Sequence, residues 1–102
     1  MASADPIPVE IDQDLADLIP GYMRNTRSAI EQILERCAAQ AFEDVQRLGH
    51  NLKGSGGGYG FPEITSFGQK IEAAAKARDQ AALKQHAAAL GQYLDRVVIR
   101  FV

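Results

Sequence analysis

The sequence predicts an all-α fold, an up-down antiparallel four-helix bundle with a short additional helix at its N-terminal end. Apolar residues recur every three or four positions along most of the chain, which indicates helices with one buried face. Polar–apolar alternation, the usual signal of a strand, is hardly seen, and alanine is abundant. The connections between the helical patterns are short, which favours antiparallel neighbours.

The first two helical patterns lie between residues 11 and 39. Asp12 and Asp14 suit the start of a short helix, because carboxylates stabilise the free amide groups there. Pro20 is tolerated in a first turn and should begin or kink the second helix, which we expect to end near Ala39. The apolar faces comprise Leu15, Leu18 and Ile19 in the first helix and Tyr22, Met23, Thr26, Ile30, Ile33, Leu34 and Cys37 in the second.

Three further helices are predicted after residue 41. The first begins near Phe42 and runs into a cluster of glycines, Pro62 stands in the first turn of the next, and Asp79 suits the N-cap of the last. Their apolar stripes are Ala41, Val45, Leu48 and Leu52, then Ile64, Phe67 and Ile71, then Leu83, Ala87, Leu90, Leu94, Val97 and Phe101. The last helix is therefore predicted to continue to Phe101.

Length and charge bound the functions that are open to the chain. Its 102 residues are enough for one domain, which we place at residues 11–102 behind an extended leader at residues 1–10. A net charge of −2 argues against nucleic acid and against an anionic membrane surface as the main partner. With Cys37 as its one cysteine, the chain has no disulfide framework, and we expect a cytoplasmic monomer.

The nine glycines are unevenly distributed, since six of them lie close together. These are Gly49, Gly54, Gly56, Gly57, Gly58 and Gly60. On a helical wheel, His50 points away from the buried direction and out of the bundle. Its neighbours three or four residues away are Gln46, Arg47, Lys53 and Gly54, and Gly57 lies two turns along on the same side.

This surrounding suits transient phosphorylation of His50. Glycine in a helix is less favourable than alanine by roughly 1 kcal/mol, so Gly54 and Gly57 are poor choices for stability alone. Because Gly54 and Gly57 have no side chains, another protein can approach the imidazole closely. Lys53 offers a cation that can contact phosphate oxygens. The alternative is that His50 is a solvated residue and that the glycines mark a helix end and a flexible loop.

The string His50-Asn51-Leu52-Lys53-Gly54-Ser55, followed by small residues and then Tyr59-Gly60, resembles the signature of histidine-containing phosphotransfer (HPt) domains. Two flanking segments are similar to the family as well. They are the residues Ile64, Phe67, Gly68, Ile71 and Glu72 of the following helix and the run Leu18-Ile19-Pro20-Gly21-Tyr22-Met23 before it. The resemblance covers roughly residues 11–98.

The resemblance implies a phosphorelay intermediate without catalytic activity of its own. His50 would take a phosphoryl group on Nε2 from a receiver-domain aspartate and pass it to another receiver, and Mg²⁺ would belong to that receiver, so no cofactor is expected in this chain. Lys53 would stabilise the phosphate and Gly54 would give access, while Gly57, Arg47 and Gln46 are expected at the docking face. Response-regulator receivers and a hybrid histidine kinase are the implied partners.

The same sequence features permit other functions to different degrees. A helical adaptor that docks a receiver or kinase through the same face, without phosphorylation, stays open. An ATP-using histidine kinase is disfavoured, because the chain has no room for a nucleotide-binding domain. A phosphate-binding loop is disfavoured as well, because Lys53 precedes the glycines, whereas the lysine of such a loop follows them. His86 is expected to flank the core, Cys37 to be a small buried residue, and an outward histidine beside cations is a poor metal ligand.

Overall fold

A computed structural model describes residues 5–102 and shows a mostly helical chain. Within these residues there are four α-helices, α1 (Ile19–Ala38), α2 (Phe42–Gly56), α3 (Pro62–Lys76) and α4 (Gln80–Arg96). Each packs on the next along the chain and α1 also packs on α4, so the helices close into the predicted bundle. None of the described helices is long and apolar enough to cross a membrane.

Local sequence signals set the ends of the helices. Pro20 and Pro62 stand in the first turns of α1 and α3, where a missing amide hydrogen costs little. The Asp79 carboxylate caps α4 by accepting a hydrogen bond from a first-turn amide at 3.0 Å. Two turns, after α1 and after α3, pass through left-handed residues, Gln40 with φ of 59° and Arg78 with φ of 55°, which stop each helix.

The helices bury one continuous apolar core. Its largest fully buried side chains include Phe61, Ile33, Ile64, Ile71, Leu83, Leu90 and Val45. Burying one side chain of this size contributes about 1.5–3 kcal/mol, so these positions hold the four helices together. Cys37 is fully buried among them, as the sequence predicts.

The two ends of the described chain meet in a parallel pair of strands, β1 (Ile7–Ile11) and β2 (Val97–Phe101). The register places Ile7 opposite Val97 and continues residue by residue along both strands. Residues 7–10 of the predicted leader are extended and pair with β2. The first four residues of that leader lie outside the described residues.

Two predictions fail at these ends. The last helix does not reach Phe101, because α4 ends at Arg96 and the chain continues as β2. Apart from Arg100, the residues of β2 are β-branched or aromatic, which favours a strand once a partner strand is present. The described residues also hold no short α-helix before α1: Gln13–Leu15 forms a single 3₁₀ turn, and Ile19 already belongs to α1.

Candidate functional site

Helix α2 presents His50 to solvent from its middle. Val45 and Leu52 are buried in the core, whereas the His50 side chain is 64% exposed. This is where the helical wheel places the histidine. The helix continues to Gly56, so Gly54 lies inside it and not in a loop.

Glu72 of α3 reaches across to α2 and joins His50 to Lys53. One carboxylate oxygen, Oε2, lies 3.1 Å from His50 Nδ1, and the other, Oε1, accepts a hydrogen bond from Lys53 Nζ at 2.7 Å. The Glu72 side chain is only 11% exposed, so a buried carboxylate stands between an exposed imidazole and a half-buried ammonium. We call these three residues the histidine cluster.

The pKa of Glu72 is held below its ordinary value. The hydrogen bond from Lys53 is the largest cause, and burial opposes it by favouring the neutral acid. The hydrogen bond from His50 and the positive charges of Lys53 and Lys76 lower the pKa of Glu72 further. The carboxylate is therefore ionised near neutral pH.

An ionised Glu72 assigns the tautomer of His50. A carboxylate can only accept hydrogen bonds, so the hydrogen of the 3.1 Å contact belongs to Nδ1 of the imidazole. In the neutral ring, Nε2 then carries a free lone pair. Among residues 5–102, Nε2 has no hydrogen-bond partner, and it lies on the far side of the ring from the buried carboxylate.

Two glycines let α2 and α3 approach closely beside this cluster. A Cβ on Gly49 would lie 2.7 Å from the backbone nitrogen of Glu72, and one on Gly68 would collide with the backbone nitrogen of Lys53. The helices therefore touch backbone to backbone next to His50. This close packing brings the short Glu72 side chain within hydrogen-bond distance of the imidazole.

A second tie holds the end of α2 against α3. Thr65 Oγ1 donates a hydrogen bond to the Lys53 carbonyl at 3.0 Å and accepts one from the Gly57 amide at 2.9 Å. The 3₁₀ turn Gly57–Tyr59 then ends at Gly60, whose φ of 91° is a left-handed conformation that favours glycine. The C-terminal end of α2, with Lys53, is thus fixed relative to Glu72.

Gly54 differs from the packed glycines because nothing in the described chain lies near it. A Cβ on Gly54 would meet no atom within 4 Å, and one on Gly57 would make ordinary contact with Thr65 Oγ1 at 3.6 Å. Both residues are exposed on the side of α2 where the sequence places them. Internal packing therefore does not require glycine at position 54.

A family model of the Hpt domain matches residues 11–99, which is most of the chain. The chain belongs to the Hpt-domain family. Hpt domains are helical phosphocarrier modules of two-component phosphorelays, where they interact with receiver domains and histidine kinases. Searches of curated proteins and of solved structures give no match.

The remaining predicted site residues lie beside His50 on the surface of the Hpt domain. Gln46 and Arg47 line an open depression of about 560 Å³ that also contains His50 and Glu72. The Arg47 guanidinium lies 3.0 Å from an Asp44 carboxylate oxygen and its side chain is 68% exposed. A salt bridge this exposed contributes at most about 1 kcal/mol, so Arg47 is free to exchange this partner for another anion.

A second hollow of the Hpt domain, of about 440 Å³, lies between α1 and α2. Its lining carries no charged side chain and includes Asn51, the residue after His50. Tyr22 and Tyr59 stack at this hollow with ring centroids 4.2 Å apart, and both pack against the core. The histidine is thus flanked by a charged depression on one side of α2 and an uncharged hollow on the other.

The second histidine and the cysteine lie away from the histidine cluster. His86 is half-buried on α4, in agreement with the expected position beside the core. Cys37 is buried, and its carbonyl accepts a hydrogen bond from Gln80 Nε2 at 2.8 Å.

Glu72 is the site residue that the sequence analysis does not identify. Glu72 belongs to the helix that follows the glycine motif, and the sequence alone predicts no role for it at the site. Its contacts with His50 and Lys53 join residues 22 and 19 positions apart on different helices, which no helical wheel of α2 can show. The one signal in the sequence is a glutamate one turn after Gly68, on the face of α3 that must pack on α2.

Proposed function

We propose that His50 is the phosphoryl acceptor of this Hpt domain and that the chain carries the phosphoryl group between receiver domains. One observation carries the proposal: Nδ1 of an exposed imidazole is held by a buried carboxylate, while Nε2 is open to solvent. Burying a carboxylate is unfavourable unless it is hydrogen-bonded. A histidine that is only a solvated surface residue does not explain why a buried carboxylate lies beside its ring.

The transfer step follows from this tautomer. The Nε2 lone pair attacks the phosphorus of an aspartyl phosphate, the P–N bond forms as the P–O bond breaks, and the bonding electron pair leaves with the aspartate carboxylate. The ring keeps its Nδ1 hydrogen and becomes cationic, and the Glu72 carboxylate 3.1 Å away stabilises that charge. The reverse reaction passes the phosphoryl group to the aspartate of a second receiver.

Lys53 supplies a cation one helical turn from His50. Its ammonium lies 2.7 Å from Glu72 Oε1, and its side chain is 37% exposed, so it can contact a phosphate oxygen on the His50 ring. Mg²⁺ enters with the receiver, and this chain provides positioning and charge, the two terms on which phosphoryl transfer depends most. In this proposal Glu72 holds Nδ1 of the imidazole, and Lys53 contacts the phosphoryl group.

The docking face consists of the exposed surface around His50. Gly54 and Gly57 leave space for the backbone of a receiver, and Gln46 and Arg47 offer a hydrogen-bonding and a charged side chain at the rim. A hybrid histidine kinase is the upstream source of the phosphoryl group, through its own receiver, and the relay is cytoplasmic. The face therefore combines open backbone at the two glycines with polar and charged side chains beside His50.

The experiment is a transfer assay with receivers that have been phosphorylated chemically by a small acyl phosphate. Incubated with such a receiver and Mg²⁺, the chain should acquire an acid-labile, alkali-stable label. The label should be absent from His50→Gln and retained in His86→Gln, which removes the other histidine of the chain. A label that survives His50→Gln and disappears in His86→Gln would overturn the assignment.

A non-phosphorylated adaptor that uses the same face predicts a different result. It would bind a receiver with the same affinity in the wild type and in His50→Gln, and no label would move from any receiver that binds. Measuring binding and label transfer on the same receivers separates the two functions. ATP alone should not label the chain in either case.

A further inference from the structure

The strand pair leaves β2 with one open edge. Val102 donates its N–H to the Ile11 carbonyl and accepts from the Gln13 amide, both at 2.9 Å. Because a strand directs alternate residues to opposite edges, the N–H and C=O groups of Ile99 and Phe101 point away from β1. Among residues 5–102 no other strand pairs with this edge.

The two outer edges of the sheet differ in how well they resist further pairing. On β1, the same alternation directs Pro8 and Glu10 outward, and proline has no N–H to offer. On β2, the outward groups belong to Ile99 and Phe101 in a run without proline or glycine, Val97-Val98-Ile99-Arg100-Phe101-Val102. Open edges of this composition are templates for pairing with another strand.

Apolar side chains are exposed on the same strand. Val98, Phe101 and Val102 are 54%, 42% and 60% exposed. A two-stranded sheet alone is only marginally stable in water. Parallel sheets are normally covered by other parts of the protein on both faces. Within residues 5–102, the end of the Hpt domain that carries β2 therefore has both unpaired backbone groups and exposed apolar side chains.

We propose that β2 pairs antiparallel with β2 of a second copy of this chain, which extends the sheet to four strands. A two-fold axis at Ile99 brings the outward groups of the two strands into register. It places Val97 opposite Phe101 of the other copy, a β-branched–aromatic pair, and Val98 opposite Arg100 of the other copy. No like charges face each other, and each Arg100 is already flanked by Glu10 of its own copy.

This self-complementary register is the reason to choose a second copy as the partner. The sequence analysis predicts a monomer, and the experiment below distinguishes that prediction from the dimer proposed here. The sheet packs near Gly60, where Ile11 would contact an added Cβ at 3.1 Å. Gly60 lies beyond the end of α2 at Gly56, ten residues after His50, so the sheet is separate in sequence from the histidine cluster.

The test compares a negative and a positive side chain at one exposed position, Val98. In Val98→Glu the new carboxylate faces Arg100 of the other copy twice in the dimer, and in Val98→Lys two like-charge pairs form instead. We expect dimerisation of the full chain in a concentration series by sedimentation equilibrium. The Kd of Val98→Glu should be roughly tenfold or more below that of Val98→Lys, given two cross-strand pairs.

A second variant keeps the test independent of charge. Ile99→Pro removes one outward N–H without touching the ladder to β1 and should abolish the dimer, whereas Glu10→Pro makes the matched change on the other edge and should preserve it. Thermal melts establish that both variants are folded. A monomer at every concentration, with Val98→Glu included, overturns the proposal. So does a dimer whose Kd is equal in both Val98 variants, since another surface would then form it.

Discussion

The close packing of α2 on α3 is best tested by the same substitution at two positions of one helix. Gly49→Ala adds a methyl group 2.7 Å from the backbone nitrogen of Glu72, whereas Gly54→Ala adds one with no atom within 4 Å. Both residues lie inside α2, so the change in helix propensity is the same. The difference in stability between the two variants therefore measures the contact between the helices.

The two substitutions should change the free energy of unfolding in opposite directions. Alanine stabilises an exposed helix interior by about 0.8–1.0 kcal/mol relative to glycine, so Gly54→Ala should raise the free energy of unfolding by that amount. At Gly49 an overpacking cost of about 1–3 kcal/mol opposes this gain, because the backbone of Glu72 cannot rotate away as a flexible side chain can. We expect a net loss of up to about 2 kcal/mol in Gly49→Ala.

Equilibrium denaturation of the wild type and both variants measures these values. For a domain of this size, 1 kcal/mol corresponds to about 4–8 °C in Tm, so the two variants should melt on opposite sides of the wild type. Gly49→Ala should also slow phosphoryl transfer while still folded, because it pushes Glu72 away from His50. A free energy of unfolding for Gly49→Ala at or above that of Gly54→Ala would refute the packing argument.

Three further predictions concern the histidine cluster and its approach. Lys53→Ala should slow transfer or shorten the lifetime of the phosphohistidine, measured by the decay of label on His50, and wild-type decay and transfer would remove its role. Gly54→Leu should leave the bundle folded by circular dichroism but block transfer, and an unchanged rate would contradict the access argument. Folding lowers the pKa of Glu72 from its ordinary value of 4.5. The ionised carboxylate therefore stabilises the folded chain above pH 4.5, and this stabilisation is lost as the pH falls through the folded-state pKa. The difference in unfolding free energy between wild type and Glu72→Gln should therefore shrink below pH 4.5, and a constant difference would contradict the proposed pairing.

The sequence predicts those features that depend on neighbours along the chain. The four long helices, the proline-containing first turns, the Asp79 cap and the outward direction of His50 all follow from three-to-four spacing and local caps. The strands do not, because each is stable only through the other, and Ile7 pairs with Val97 from the opposite end of the chain. Leu94, Val97 and Phe101 also continue a helical spacing, so the wheel extends α4 into residues that pair as a strand.

Glu72 is missed for the same physical reason as the strands. Its role depends on the distance between two helices, which backbone contact at Gly49 and Gly68 sets and which no single helix reveals. The glycine cluster drew attention to the space around His50, but Gly49 serves packing within the chain. Composition alone cannot separate these two uses of glycine.

The contrast between Gly49 and Gly54 supports the docking face proposed around His50. Each glycine in α2 lowers helix stability by roughly 1 kcal/mol relative to alanine. At Gly49 the close contact with the backbone of Glu72 explains the residue, since no larger side chain fits there. At Gly54 no atom of the described chain lies near enough to exclude a side chain, so nothing inside the bundle offsets the loss. This contrast supports the proposal that glycine at position 54 gives a docking partner access to α2 one turn beyond His50.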